Sequence, residues 1–334
     1  MVEVWVTGDC DMLCPICFAV KKVGGYMTVE TAEQVARFIR ERGYPDVQFY
    51  GGEPLQNWPI VKLLISRLAN VITLNITTNG RHLTQEVRDW FHLFNVGVAL
   101  SFDGSEETQD TNRAKGSYGD IVANLDWLTT HRGHVLKTGV PAAKLHEDVK
   151  HIRDLGFRRV YINQLKPLSV PGYSDEDIQV YEEQYKRVIE ELHSPPDFTV
   201  EDYEQYRDNP TTYGCGAGRS GMTIAPSGKL YPCIDAPLLG DEFSFGDVWN
   251  GINKGREESI RKKFSVKHDK CLTCDNNCMP CPVMFHLHGL MERGPEEWWC
   301  KAMKMRTQVA RGYRQRGNFT VTPLATFKGM ENRE

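Results

Sequence analysis

Two hydrophobic periods alternate along the first half of the chain, and their succession is the first fold signal. Residues 2–7 read VEVWVT, a period of two that suits a strand, whereas 28–42 space their apolar residues at three and four as a helix does. The pair recurs as a strand over 46–50 with a helix over 60–70, then 71–77 with 85–94, 96–102 with 120–130, 134–140 with 145–155, and 159–164 with 176–192. Six strand–helix units result. Strands joined through crossovers of this length run parallel, because a tight hairpin cannot connect parallel neighbours. A doubly wound open sheet and part of a TIM-like barrel both satisfy that, and both collect ligands at the C-terminal ends of their strands. Those ends carry the unusual segments here: a cysteine loop after the first strand, Gly51-Gly52-Glu53-Pro54 after the second, Thr78-Asn79-Gly80 after the third and Ser101-Phe102-Asp103-Gly104 after the fourth. A doubly wound nucleotide fold would place G-x-G-x-x-G after its first strand, and none stands there. The pattern therefore predicts an α/β fold with a partial (β/α)6 TIM-like barrel over 1–205 and a loop-rich second domain over 206–334.

Composition narrows the setting. The 334 residues, 40% apolar and 25% charged, suit a folded globular chain of two modules. Forty basic against 44 acidic residues give a net charge of −4, so no global field draws the protein to nucleic acid or an anionic membrane, and neither is expected as a partner. No stretch approaches the ~18 consecutive apolar residues of a spanning helix. The N-terminus enters a strand pattern at once, without a basic region and apolar core ahead of a cleavage site, which points to the cytoplasm. In a reducing compartment the ten cysteines call for metal or catalytic chemistry, not disulfides.

They fall into two groups. Cys10-Asp-Met-Leu-Cys14-Pro-Ile-Cys17 packs three thiols into a strand-to-helix loop. A four-iron cluster wants four thiolates, so three leave one iron open to an external ligand. A zinc site with a distant fourth ligand and three buried structural thiols are the alternatives. The segment Gly51-Gly52-Glu53-Pro54 favours the cluster, since glycines let a backbone approach a ligand closely and Glu53 can accept hydrogen bonds from an ammonium group. The second group comprises Cys215 and Cys233, in CGAGRSGMTIAPSGKLYPC, then Cys271-x2-Cys274-x3-Cys278-x2-Cys281, then Cys300. Zinc ribbons separate their paired cysteines by roughly 15–20 residues, so the short quartet fits zinc poorly.

On these motifs the chain resembles the radical SAM superfamily over roughly its first two hundred residues, and over about 210–305 it resembles the SPASM domain appended to many of its members. The resemblance implies three [4Fe-4S] clusters, one that binds S-adenosylmethionine and two auxiliary ones. Cys10, Cys14 and Cys17 would hold the first cluster, and Gly51, Gly52 and Glu53 the methionine amino group, with Asn79, Ser101 and Arg113 bordering the cofactor. Ile16 stands where the family usually has an aromatic residue, which makes the adenine contact there aliphatic unless Phe18 compensates. Cys215, Cys233 and Cys281 would hold the inner auxiliary cluster, and Cys271, Cys274, Cys278 and Cys300 the outer one. The quartet is shorter than the usual C-x2-C-x5-C-x3-C, which leaves that partition open. So does the fourth position of the inner cluster, which Asp235, a histidine or a substrate could take. Asp235 is also the candidate base, because sulfatase-maturing relatives carry an aspartate directly after the corresponding cysteine; here it is one residue further on. A solvated or turn-forming aspartate is the plainer reading. His286 and His288 read as loop residues, Arg261-Lys262-Lys263 as the wet face of a helix, and Trp298 and Trp299 as packing around the outer cluster.

The activity this implies is hydrogen abstraction from a peptide or protein by a 5′-deoxyadenosyl radical, giving oxidation or cross-linking as in the maturation of ribosomally made peptides. Dehydrogenation of a small molecule, such as an aminoglycoside or cofactor precursor, is the alternative. A non-catalytic iron–sulfur electron-transfer protein is a third reading, opposed by the open iron and the glycine-rich segment. Nine residues precede Cys10, so the N-terminal peptide clasp of many such enzymes is expected to be missing and a separate recognition protein, or direct binding in the groove, to replace it. An electron donor such as flavodoxin or ferredoxin completes the expected partners.

Overall fold

The computed structural model describes residues 1–17, 24–163, 173–208, 217, 221–265, 268–274, 281–287, 289 and 294–315. Its centre is one mixed sheet. The strands β1 (Val2–Thr7), β2 (Asp46–Gly51), β3 (Thr73–Thr78), β4 (Gly97–Ser101), β5 (Gly133–Thr138) and β6 (Arg159–Asn163) lie side by side in sequence order, each parallel to the next. A doubly wound sheet would reverse direction at a switch point. None occurs, and the predicted barrel-type order is the one observed.

Both edges are then extended by the chain beyond the sixth unit. Strand β7 (Thr199–Val200) adds in parallel to β6, and β8 (Met222–Ile224) adds in parallel to β1 from the other side. The short antiparallel strands β9 (Lys229–Tyr231), β10 (Gly246–Asp247) and β11 (Gly251–Ile252) continue outward from β8. The proposed second domain thus shares a sheet with the barrel. Strands of two or three residues leave too little periodicity to be read from sequence.

The sheet is covered on one face by helices whose apolar stripes meet it. Val2, Val4 and Val6 join the main core with Ala32, Val35 and Ile39 of the helix Val29–Arg42, while the intervening Trp5 packs separately against Cys17, Tyr50, Ile234 and Leu238. Alternation along β1 therefore divides outer core from barrel interior. Helix starts carry the side-chain caps their sequences suggest: Thr28 accepts from the Thr31 N–H, Thr84 from Val87, and Ser174 forms a reciprocal box with Asp177.

Three elements differ from the periodicity. The single helix expected over 120–130 is two, Ser117–Val122 and Leu125–Thr130, because the Asn124 side chain donates to the Asp120 carbonyl at 3.1 Å and competes with the helical bond there. The helix Glu106–Asn112 was not legible, since EETQDTN has no apolar stripe. The last barrel helix ends as α at Arg187 and continues as a π turn over Val188–Leu192, its wider spacing closed by His193 N–H to Val188 O at 3.1 Å.

The long C-terminal helix Glu297–Gln315 packs on the helices Asp175–Arg187 and Glu201–Asp208. Arg306, 2% exposed, pairs with Asp202 and donates to the Ile162 carbonyl at 2.7 Å. Asp202 also accepts from Ile162 N–H at 3.0 Å and Tyr185 Oη at 2.7 Å. A buried ion pair whose carboxylate also accepts from the end of β6 in this way fastens the C-terminal helix to that strand. Among the described residues no helix is long and apolar enough to cross a membrane.

Candidate functional site

The C-terminal ends of β1 to β6 surround one cavity of about 360 Å³. Cys10, Cys14 and Cys17 line it together with Ile16, Gly51, Gly52, Glu53, Asn79, Ser101 and Arg113. Residues that the motif reading passed over also face it, among them Glu3, Tyr50, Thr138, Asn163 and Ile234.

The glycine pair has a structural cause. A Cβ on Gly51 would lie 2.5 Å from the Thr7 carbonyl oxygen, and one on Gly52 would lie 2.1 Å from that of Asp9. The end of β2 passes so close beneath the cysteine loop that only glycine fits. Two backbone bonds use this proximity: Gly52 N–H to Thr7 O at 3.0 Å and Glu53 N–H to Asp9 O at 2.8 Å. The sequence led one to expect glycines that open the backbone to a ligand; the contacts here show glycines that seat the cysteine loop on β2.

Glu53 is 1% exposed. Its Oε1 accepts from Leu55 N–H at 3.0 Å and Thr78 Oγ1 at 2.9 Å, and its Oε2 from Asn79 N–H at 2.8 Å. Burial pushes its carboxyl up to about 7, with these three donors and the charge of Asp11 as smaller influences, the donors pulling down and Asp11 pushing up. Glu53 thus ties the end of β2 to that of β3 and retains acceptor capacity on the cavity side.

Asp11, inside the cysteine motif, makes a second tie. Its Oδ1 accepts from Asn79 Nδ2 at 3.1 Å, and its Oδ2 meets Arg81 Nη1 at 3.3 Å and His82 Nε2 at 3.2 Å. Asn79, expected to border a cofactor, lines the cavity and also anchors this loop. A third carboxylate lies behind the opposite wall. Asp103 is fully buried; its Oδ2 accepts from Arg113 Nε at 2.8 Å, and its Oδ1 from Thr138 N at 2.6 Å and Thr138 Oγ1 at 2.7 Å. Burial alone would raise its carboxyl, but Arg113 and Lys137 outweigh it and hold the group below the usual aspartate value.

Cys10, Cys14 and Cys274 are free thiols. Burial pushes Cys10 up to about 12 and raises Cys14 as well, so both are neutral thiols that must shed protons on binding metal. Among the described residues no three His, Cys, Asp or Glu side chains stand close enough to hold a single metal ion. A lone zinc needs donors about 2.0–2.3 Å from one point, whereas in an iron–sulfur cluster each thiolate meets its own iron. Three thiols spread along the wall of one cavity fit the cluster.

Part of the second cysteine group lies beside this cavity. Ile234, directly after Cys233, lines it; Asp235 does not, being 4% exposed and meeting Cys281 Sγ at 3.9 Å. Cys271 and Cys281 pack against Trp299, and Trp298 stands edge-on to Tyr173 with ring centres 5.5 Å apart. Cys274 and Cys300 are half-buried. Cys215, Cys278, His288 and Phe18 lie outside the described residues. His286, expected in a loop, is on the helix Pro282–Leu287 with its ring against Phe243 and Phe264, and burial lowers its basicity. Arg261, Lys262 and Lys263 are exposed on the helix Lys254–Ser265, as expected.

A parallel barrel whose first strand runs into a three-cysteine loop, seated on a glycine pair and facing a buried glutamate, defines a class of iron–sulfur enzyme. Residues 5–184 match the radical SAM superfamily, more than half of the chain, and the protein belongs to that superfamily. It is similar to the PqqA peptide cyclase of Methylobacterium nodulans, 24% identical over 302 residues that cover 81% of this chain and 77% of that one. It is also similar to the antilisterial bacteriocin subtilosin biosynthesis protein AlbA of Bacillus subtilis, at 21% over 262 residues, 73% of this chain and 56% of that protein. Among solved structures, native anSMEcpe with bound AdoMet and Kp18Cys peptide shares the fold with a TM-score of 0.75 at 15% identity, over 95% of this chain and 99% of that one.

Proposed function

We propose that this radical SAM enzyme oxidises or cross-links a peptide or protein substrate as a maturase of ribosomally made peptides. The observation that carries the reading is the shared cavity: Cys10, Cys14 and Cys17 line it, and so does Ile234, next to Cys233 of the second group. In this reading Cys10, Cys14 and Cys17 hold the first [4Fe-4S] cluster, and Gly51, Gly52, Glu53, Asn79, Ser101 and Arg113 hold S-adenosylmethionine. Bound there, the pair would supply one-electron reduction and a radical able to take hydrogen from unactivated carbon. Cys215, Cys233 and Cys281 hold an inner auxiliary cluster and Cys271, Cys274, Cys278 and Cys300 an outer one, which makes the segment 206–334 a SPASM domain beside the barrel of 1–205. Such clusters offer an acceptor for the electron that oxidation of the substrate must release.

The residues have distinct tasks. Glu53 accepts a hydrogen bond from the methionyl ammonium, and Ile16 packs on adenine. Asp235, buried against Cys281, is placed to influence the inner cluster or take a proton relayed to it. The names of the peptide cyclase and the bacteriocin biosynthesis protein support a peptide substrate, delivered directly or by a recognition protein, with flavodoxin or ferredoxin as electron donor. Anaerobic reconstitution tests the reading. About twelve iron per chain is expected, reduced protein should convert S-adenosylmethionine to 5′-deoxyadenosine, and Cys14→Ala should abolish that conversion. One zinc per chain with little iron, or an active Cys14→Ala variant, would overturn it.

A further inference from the structure

We propose that Asp103 is a positioning residue that fixes Arg113 as a two-pronged donor for the methionyl carboxylate of S-adenosylmethionine; the inference builds on the radical SAM reading above. Arg113 caps the helix Glu106–Asn112, and its side chain is 14% exposed beside the cavity it lines. A guanidinium carries five donors in a rigid plane. The Nε donor is committed to Asp103 Oδ2 at 2.8 Å, and among the described residues neither terminal amino group has a partner. With Nε held on the protein side, the terminal groups of the fork remain for the cavity.

Asp103 is itself held from two elements. Thr138 at the end of β5 donates twice to Oδ1, and the Asp103 N–H donates to Gln109 Oε1 at 2.8 Å from the helix that Arg113 caps. The carboxylate has one orientation, and the guanidinium follows it. Burial opposes the charge on Arg113, but Asp103 sustains it, so the fork is cationic where it meets the cavity. Glu53 lines the same cavity. A buried carboxylate and a buried guanidinium facing one space match the two charges of an amino-acid zwitterion, ammonium to Glu53 and carboxylate to Arg113.

The test is a ligand cycle on the reconstituted enzyme. Dissociation constants are measured for S-adenosylmethionine and for its decarboxylated analogue, in wild type and Asp103→Asn, alongside thermal melting. Wild type should prefer the carboxylated ligand, and Asp103→Asn should lose about tenfold of that preference, the range of one charge-assisted hydrogen bond, with affinity for the analogue unchanged. A variant that weakens both ligands equally, as a merely structural role would, or that keeps the preference, overturns the inference. Should Asp103→Asn fail to fold, Arg113→Lys decides: it retains the charge but cannot bond Asp103 and present a fork together, so it too should lose the preference, and retention overturns the proposal. Wild type that binds neither ligand overturns the cofactor assignment itself, whereas binding that ignores Asp103 overturns this inference alone.

Discussion

Replacing Gly52 by alanine puts the seating of the cysteine loop to a direct test. The added Cβ would stand 2.1 Å from the Asp9 carbonyl oxygen, 2.4 Å from its carbon and 2.8 Å from the Gly8 oxygen, all backbone atoms that cannot swing aside. A carbon and a carbonyl oxygen rest at roughly 3.3–3.6 Å, so loop and strand must part by more than about 1 Å. That separation breaks the bonds Gly52 N–H to Thr7 O and Glu53 N–H to Asp9 O, now 3.0 and 2.8 Å. Two such bonds contribute about 1 kcal/mol each, and overpacking costs about 1–3 kcal/mol. The expected destabilisation is about 3–5 kcal/mol, and Tm should fall by roughly 6–10 °C in a chain of this size. Calorimetry of the metal-free protein measures that term. Iron content after reconstitution measures the other consequence, loss of about a third of the iron and of 5′-deoxyadenosine formation. Gly119→Ala is the control, because nothing lies within 4 Å of its Cβ and it sits in a helix. Full iron content and an unchanged Tm in Gly52→Ala would refute the steric argument.

Glu53 should make the metal-free protein less stable as pH rises. Its carboxyl is raised from 4.5 to about 7 by burial, so its contribution is complete below about pH 4.5 and lost as pH climbs through 7; urea unfolding across that window should show the decline in wild type and not in Glu53→Gln. Arg306→Met strands the buried Asp202 carboxylate and should cost about 3–5 kcal/mol, with part recovered on adding Asp202→Asn; an additive pair would show that the two residues do not act together. Trp299→Ala removes a buried ring that packs on Cys271 and Cys281 and should lower iron in the second cysteine group while leaving S-adenosylmethionine cleavage by the first intact, as iron analysis and 5′-deoxyadenosine formation would report.

Sequence carries the barrel because each of its units combines a two-period strand with a three-to-four-period helix long enough to reveal itself. The same logic explains the losses. Glu106–Asn112 is polar throughout, and β8 to β11 are two or three residues long, so neither leaves a period to read. At the site, the cysteines, the glycine pair and Arg113 were legible as motif members, and Cys10, Cys14, Cys17, Gly51, Gly52 and Arg113 line one cavity. Asp11 and Asp103 were in view, one within the cysteine motif and the other on the rim after β4, but which oxygen meets which donor depends on register between strands. Ile234 could not be separated from Asp235 by spacing alone. A one-residue difference in the turn just ahead of the 3-10 helix Ala236–Leu239 decides which side chain faces the cavity.

The arrangement of the three carboxylates explains why the motif residues have two roles. Glu53 joins the ends of β2 and β3, Asp11 joins the cysteine loop to the loop after β3, and Asp103 joins the end of β4 to that of β5. Glu53 and Asp103 span adjacent strand ends and Asp11 reaches from the end of β1 past β2 to that of β3, all at the rim, where the ladder hydrogen bonds have stopped and backbone donors would otherwise lack partners. Each also stands beside a group that faces the cavity: Asn79 for Glu53 and Asp11, Arg113 for Asp103. Cavity-facing groups placed in this way are set before any ligand arrives, so binding does not have to order them, and that is the main advantage of a preorganised site. It follows that substitutions at these carboxylates act on stability and on affinity together, and that only a ligand lacking the matching charge can separate the two.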